Sequence, residues 1–170
     1  AAQRYTGSDD PSLPREWCWP ETSDSVPYQQ QWAIVPVGAS SAEFMLLKDT
    51  LGQRLPAATL VGVERVQNSE LYHAWMARRE RVARNNGGDS NDKLLYHGTG
   101  SRRPEEVVAA SEGLDPRHSK GKGNFYGCAT YLSVEPAYGL GVGPYAYRVP
   151  GHDGRRQQLL VVRLAAGAVK

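Results

Sequence analysis

Helical periodicity in this 170-residue chain is confined to its first two-thirds, and short β-forming runs dominate the remainder. Ser40-Ser41-Ala42-Glu43 is a capping-box pattern, and Phe44, Leu47 and Leu51 come next at helical spacing up to Gly52 or Pro56. Asn68 or Ser69 caps a second helix with Leu71, Trp75 and Val82 facing inward, and Asn85-Asn86-Gly87-Gly88 ends it. Pro104, Glu105 and Glu106 form the first turn of a third, short helix that Gly113 is placed to stop. The β-forming runs are 31–37, 59–66, 93–96, 129–134 and 158–164. The last has Leu-Leu-Val-Val at its centre and reads as a buried strand. Two early helices and later strands, without βαβ alternation, predict an α+β fold with a mostly antiparallel sheet.

The length suits one domain preceded by an irregular arm over residues 1–27, rich in Pro, Ser, Asp and Thr. Trp17-Cys18-Trp19-Pro20 is expected to pin that arm, because Trp is costly to leave in water. Absence of an initiator Met suggests a segment of something longer. No apolar run is long enough to span a bilayer, and Ala1 to Asp10 lacks the basic-then-apolar order of a signal peptide. A net charge of +2 makes no argument for nucleic acid or an acidic membrane. The two cysteines, Cys18 and Cys128, give neither a disulfide framework nor a zinc signature. Reduced thiols in an intracellular protein of the nucleus or cytoplasm are the better reading, with a single bridge as the other.

Residues that could carry chemistry cluster after Lys93. His97-Gly98-Thr99-Gly100 comes directly after a strand, and glycine there lets the backbone approach a flat ligand while the His hydrogen-bonds a sugar hydroxyl. Taken alone, a His-Gly turn is more often merely a turn. Five of the nine tyrosines lie between 126 and 147, and aromatic faces meeting in one cleft can sandwich a cationic heteroaromatic ring. Sheet packing accounts for some of the five. Lys120-Gly121-Lys122-Gly123 is no Walker A loop, and Gly139-Leu140-Gly141-Val142-Gly143 lacks the βαβ context of a dinucleotide fingerprint. The four His residues show no metal spacing, so no metal is expected. Arg78, Arg79, Arg81 and Arg84 read as a solvated helix face, with a nucleic-acid patch as the minority reading.

The ordered set of motifs resembles the catalytic domain of the poly(ADP-ribose) polymerase family, in its mono-ADP-ribosylating branch. The blocks are Val63-Glu64-Arg65-Val66-Gln67-Asn68 with Leu71-Tyr72; Leu95-Tyr96-His97-Gly98-Thr99; Gly113-Leu114-Asp115-Pro116-Arg117 with Tyr126-Gly127; and Thr130-Tyr131-Leu132-Ser133. Residues 28–170 would be the catalytic domain, with the ADP-ribosyltransferase-like split sheet. The resemblance implies NAD⁺ as substrate, protein side chains as acceptors, and a pocket between the His97 turn and Tyr131. It gives His97 a ribose hydroxyl, Gly98 the nicotinamide carboxamide, and Tyr131 one face of the nicotinamide, with Tyr145 or Tyr147 on the other. His97 and Tyr131 would thus carry the catalytic roles. Asp115 and Arg117 would begin the loop over the adenosine side, with Thr99, Tyr126 and Gly127 completing the NAD⁺ contacts.

Three departures from the family pattern stand out. Ala129 occupies a usual Gly position, Gly139 a usual Ser position, and the strand bearing the third motif residue is expected beyond Lys170. Single ADP-ribose transfer is the leading expectation. The alternatives are an inactive module of the same fold serving as a scaffold or interaction domain, and an RNA 2′-phosphotransferase-like enzyme.

Overall fold

The computed structural model describes residues 5–7, 11–20, 32–109, 113–118 and 127–168. The chain divides into two compact units, Ala1–Met76 and Ala77–Lys170. Every ladder among the described residues is antiparallel, and three α-helices accompany them, so the fold is α+β.

In the first unit, β1 (Tyr5–Gly7) pairs with β2 (Cys18–Pro20), and β3 (Trp32–Pro36) pairs with β4 (Glu64–Asn68). The arm read as irregular therefore contains a short ladder. Its attachment uses a side chain as a strand. Gln67 is fully buried; its Oε1 accepts from Cys18 N at 3.2 Å and its Nε2 donates back to Cys18 O. Buried amides persist only when both ends are satisfied, and the backbone of one residue, Cys18, bonds both ends of this one. Trp17 is buried nearby, 5.3 Å from Tyr72 and edge-on to Trp19 at 6.0 Å.

Helix α1 (Ala42–Arg54) starts at Ser41, whose Oγ accepts from Phe44 N at 3.1 Å. The cap is thus one residue later than the Ser40 pattern indicates. Glu43, which would close that pattern, is instead hydrogen-bonded to Arg65 through both Nε and Nη2. The run expected as a strand over 59–66 is a strand only from Glu64. Helix α2 (Ser69–Asn85) is capped by Asn68, whose Oδ1 accepts from Leu71 N at 3.0 Å; its last nine residues belong to the second unit.

The second unit is organised on β5 (Asp92–His97), which pairs with β8 (Leu160–Ala165) in a register that sets His97 opposite Leu160. The β8 run was expected to be buried, yet Val161 and Leu164 are each 38% exposed. On the side of β5 away from that ladder, Tyr96 exchanges both backbone bonds with Ser133, at 2.8 and 2.9 Å. This lone bridge replaces the strand expected over 129–134. Helix α3 (Pro104–Val108) ends at Ala109 rather than Gly113, which takes a left-handed φ of 62° in the loop beyond. A small hairpin of β6 (Tyr147–Arg148) and β7 (Gln157–Gln158) completes the unit.

At the head of β5, Asp92 Oδ2 accepts from Arg79 Nε and its Oδ1 from Ser90 Oγ, both at 2.7 Å. The Arg79 bond, then the Ser90 bond, holds this carboxyl below its ordinary range. A depressed folded-state value means stability that is complete above about pH 4 and lost as pH falls through the folded value. Urea unfolding monitored from pH 6 to pH 2 should therefore show a steeper acid loss for the wild type than for Asp92→Asn. Parallel pH profiles would refute the assignment.

Candidate functional site

His97 ends β5, and its half-buried ring is fixed across to the next segment: Nδ1 lies 2.9 Å from Tyr131 O. A carbonyl oxygen can only accept, so Nδ1 carries a proton, and in the neutral tautomer that this selects Nε2 is an acceptor. Tyr131 is fixed in turn, since its phenol donates to Gly127 O at 2.9 Å. Thr130 Oγ1 donates to Leu114 O and the Cys128 thiol to Pro116 O, each at 3.0 Å. The segment carrying Tyr131 is thereby tied on one side to His97 and on the other to the 113–118 turn.

The expected glycine approach at residue 98 is present, and what approaches is protein backbone. A Cβ on Gly98 would fall inside van der Waals contact with Tyr145 O and 2.8 Å from both Cα and O of Gly139. Gly139, in the 3₁₀ turn Pro136–Gly139, is buried and equally tight: its Cβ would meet Leu159 Cδ1 at 2.5 Å and Gly98 N at 3.0 Å. The two glycines permit each other, a pairing that motif reading had not found; their shared lack of a Cβ is the only sequence signal. Tyr145 O also accepts from Gly100 N at 2.8 Å. Thr99 closes the turn by donating to Arg102 O at 2.7 Å.

The tyrosines separate into distinct roles. Tyr147 is buried on β6. Tyr145 is exposed and stacked on Tyr138, with centroids 5.2 Å apart and planes 19° from parallel. Asp115 Oδ1 accepts from Arg117 N and its Oδ2 from Arg117 Nε, at 2.8 and 2.7 Å, with the carboxylate covered and the guanidinium exposed. Gly127 turns with φ 87°. Ala129 avoids the strain a left-handed glycine position would impose, because among the described residues the positive-φ non-glycine residues are Asn91 and Asp153. Tyr126 and the Lys120–Gly123 run lie outside the described residues.

An open cleft of ≈ 520 Å³ beside this cluster is lined by Gly100, Ser101 and Arg103 facing Pro144, Tyr147 and Arg148. His97, Gly98 and Tyr131 do not line it. No group of three or more His, Cys, Asp or Glu among the described residues could hold a metal ion, and no described helix is long and apolar enough to cross a membrane. Cys18 and Cys128 are free thiols.

The sequence is 25% identical over 139 residues to human protein mono-ADP-ribosyltransferase PARP14, across 82% of this chain. It is 26% identical over 105 residues to human protein mono-ADP-ribosyltransferase PARP12, and 24% identical over 105 residues to the mouse PARP12, each across 61% of this chain. The chain is thus similar in sequence to mono-ADP-ribosyltransferases. It spans 7% of the length of PARP14 and 15% and 14% of the two PARP12 proteins. No protein-family model matches it.

Proposed function

We propose that the chain is an NAD⁺-dependent ADP-ribosyltransferase domain that moves one ADP-ribose from NAD⁺ to a protein side chain and releases nicotinamide. The observation that supports this reading best is the tie between His97 Nδ1 and Tyr131 O. It couples the two candidate residues directly and leaves Nε2 as the ring nitrogen available to a ribose hydroxyl, which can either donate to it or accept from it. In this reading residues 28–170 are the catalytic domain, the separate ladders belong to an ADP-ribosyltransferase-type split sheet, and the protein works inside the cell.

The chemistry asks little of a nucleophilic protein. The bond between the ribose anomeric carbon and the pyridinium nitrogen breaks, and its electron pair neutralises the leaving ring. An acceptor side chain then attacks the oxocarbenium-like carbon and gives up its proton. Orientation of the ribose and of the ring supplies most of the rate. His97 would orient the sugar, and Tyr131 and Tyr145 the ring. The backbone of Gly98 would hold the carboxamide; Asp115, Arg117, Thr99, Tyr126 and Gly127 would lie toward the rest of NAD⁺.

Incubation of the chain with labelled NAD⁺ and protein acceptors tests this reading. Label on protein with stoichiometric nicotinamide release is the expected result. Absence of transfer together with absence of NAD⁺ binding in calorimetry would replace it with the inactive-module alternative.

A further inference from the structure

One aromatic contact at the site is explained by none of these roles. Tyr138 and Tyr145 stack face to face, yet both remain wet: Tyr138 is 58% exposed and Tyr145 42%. Both ends of the span between them are anchored. Tyr138 sits in the Pro136–Gly139 turn, where Pro136 is fully buried and Gly139 lies against Gly98. The turn is joined back to β5, because Glu135 N donates to Ser133 Oγ at 3.0 Å and Ser133 pairs with Tyr96. The backbone of Tyr145 is held by the Gly100 N–H on its carbonyl.

An exposed tyrosine has two side-chain torsions to settle and several staggered states within reach. A parallel neighbour at 5.2 Å selects one of them. Extensive exposure of Tyr138 decides between two roles for it. A ring that filled a ligand slot would be enclosed, whereas this one lies against one face of Tyr145 and is itself more exposed than the ring it covers.

We infer that Tyr138 is a positioning residue for the ring-binding site: it backs Tyr145 and sets that ring's plane, so that its other face can receive a planar cationic ring. The inference rests on the ADP-ribosyltransfer reading, in which that ring is nicotinamide. A hydrogen bond with Tyr145 is the leading cause that raises the Tyr138 phenol above its ordinary value, with the charge of Tyr145 next. The backing role belongs to the ring, and the hydroxyl contact is secondary to it.

The test is titration of the 170-residue chain with nicotinamide and with NAD⁺, for wild type, Tyr138→Leu, Tyr138→Phe and Tyr145→Leu, with circular dichroism to confirm folding. The expected result is binding by the wild type, a loss of about 3- to 10-fold for Tyr138→Leu, and recovery to within about twofold for Tyr138→Phe. Rescue by Phe separates ring backing from general structural damage. Wild-type affinity in Tyr138→Leu, with binding lost in Tyr145→Leu, would overturn the inference and leave the proposed function standing. Tighter binding by Tyr138→Leu would overturn it as well, since Tyr138 would then obstruct the site. A wild type that binds neither compound would remove the proposed function and the inference with it.

Discussion

His97→Ala should lower kcat/KM for label transfer from NAD⁺ by about a hundredfold, the typical cost of losing substrate orientation. Two functions of one ring are deleted together. Nδ1 no longer binds Tyr131 O, so the Tyr131 segment loses its link to the end of β5. Nε2 would no longer be available to the ribose that the proposed function places there. The bridge from Tyr96 to Ser133, farther along that segment, survives the substitution because it uses backbone atoms alone. Folding should therefore be retained, and circular dichroism and melting will confirm that before kinetics are compared. Transfer at the wild-type rate by a folded His97→Ala protein would eliminate His97 from the mechanism.

Gly98→Ala should destabilise the second unit by about 2–3 kcal/mol, at the upper end of what an unaccommodated methyl costs in a packed interior. The new Cβ would meet backbone on two sides, Tyr145 O and the Gly139 Cα and O. Backbone cannot swing aside as a side chain can. Gly139→Ala is the informative comparison. Its nearest obstacle is Leu159 Cδ1 at 2.5 Å, the end of a flexible side chain, with Gly98 N next at 3.0 Å. It should cost less, and a melting temperature for Gly98→Ala no lower than that of Gly139→Ala would contradict the packing described.

Much of the secondary structure was legible because local signals and burial agree. Asn68 precedes the helical pattern of α2 and caps it, and the β-forming run at 93–96 lies wholly within β5. Failures occurred where a distant partner decided the outcome. Ser40 and Ser41 offer equivalent local caps; Arg65, far along the chain, claims Glu43 and the capping box does not close. Residues 59–63 are β-forming by composition, yet Val61 is 69% exposed. β-propensity reports packing onto a neighbouring strand, and no ladder among the described residues includes these five. Around Tyr131, a backbone group that a ladder would use goes elsewhere: Tyr131 O accepts from the His97 ring, while the Thr130 hydroxyl ties the segment to Leu114 O.

The candidate site was legible in a different way. Motif order brought out His97, Gly98 and Tyr131, and the fold brings all three into one unit. Their geometry carries information that motif order does not. The tautomer of His97 is dictated by its partner being a carbonyl. Tyr145 and Tyr147 are equivalent as letters two positions apart, and burial separates them. Tyr138 gains significance only from the plane of a neighbouring ring.

The amide of Gln67 bears on where this sequence can be cut. It is buried with hydrogen bonds from both of its ends to a single residue's backbone, that of Cys18. A fragment trimmed to begin after Pro20 would keep the glutamine and lose that partner, stranding the Nε2 donor at a cost of about 1–3 kcal/mol and leaving Oε1 with the longer 3.5 Å bond from Arg65 Nη1. It would also uncover the face of Tyr72 that Trp17 now occupies. For expression and crystallisation, the leader's boundary is therefore set by hydrogen-bond satisfaction, and a limit drawn at the first residue of β3 would lie on the wrong side of it.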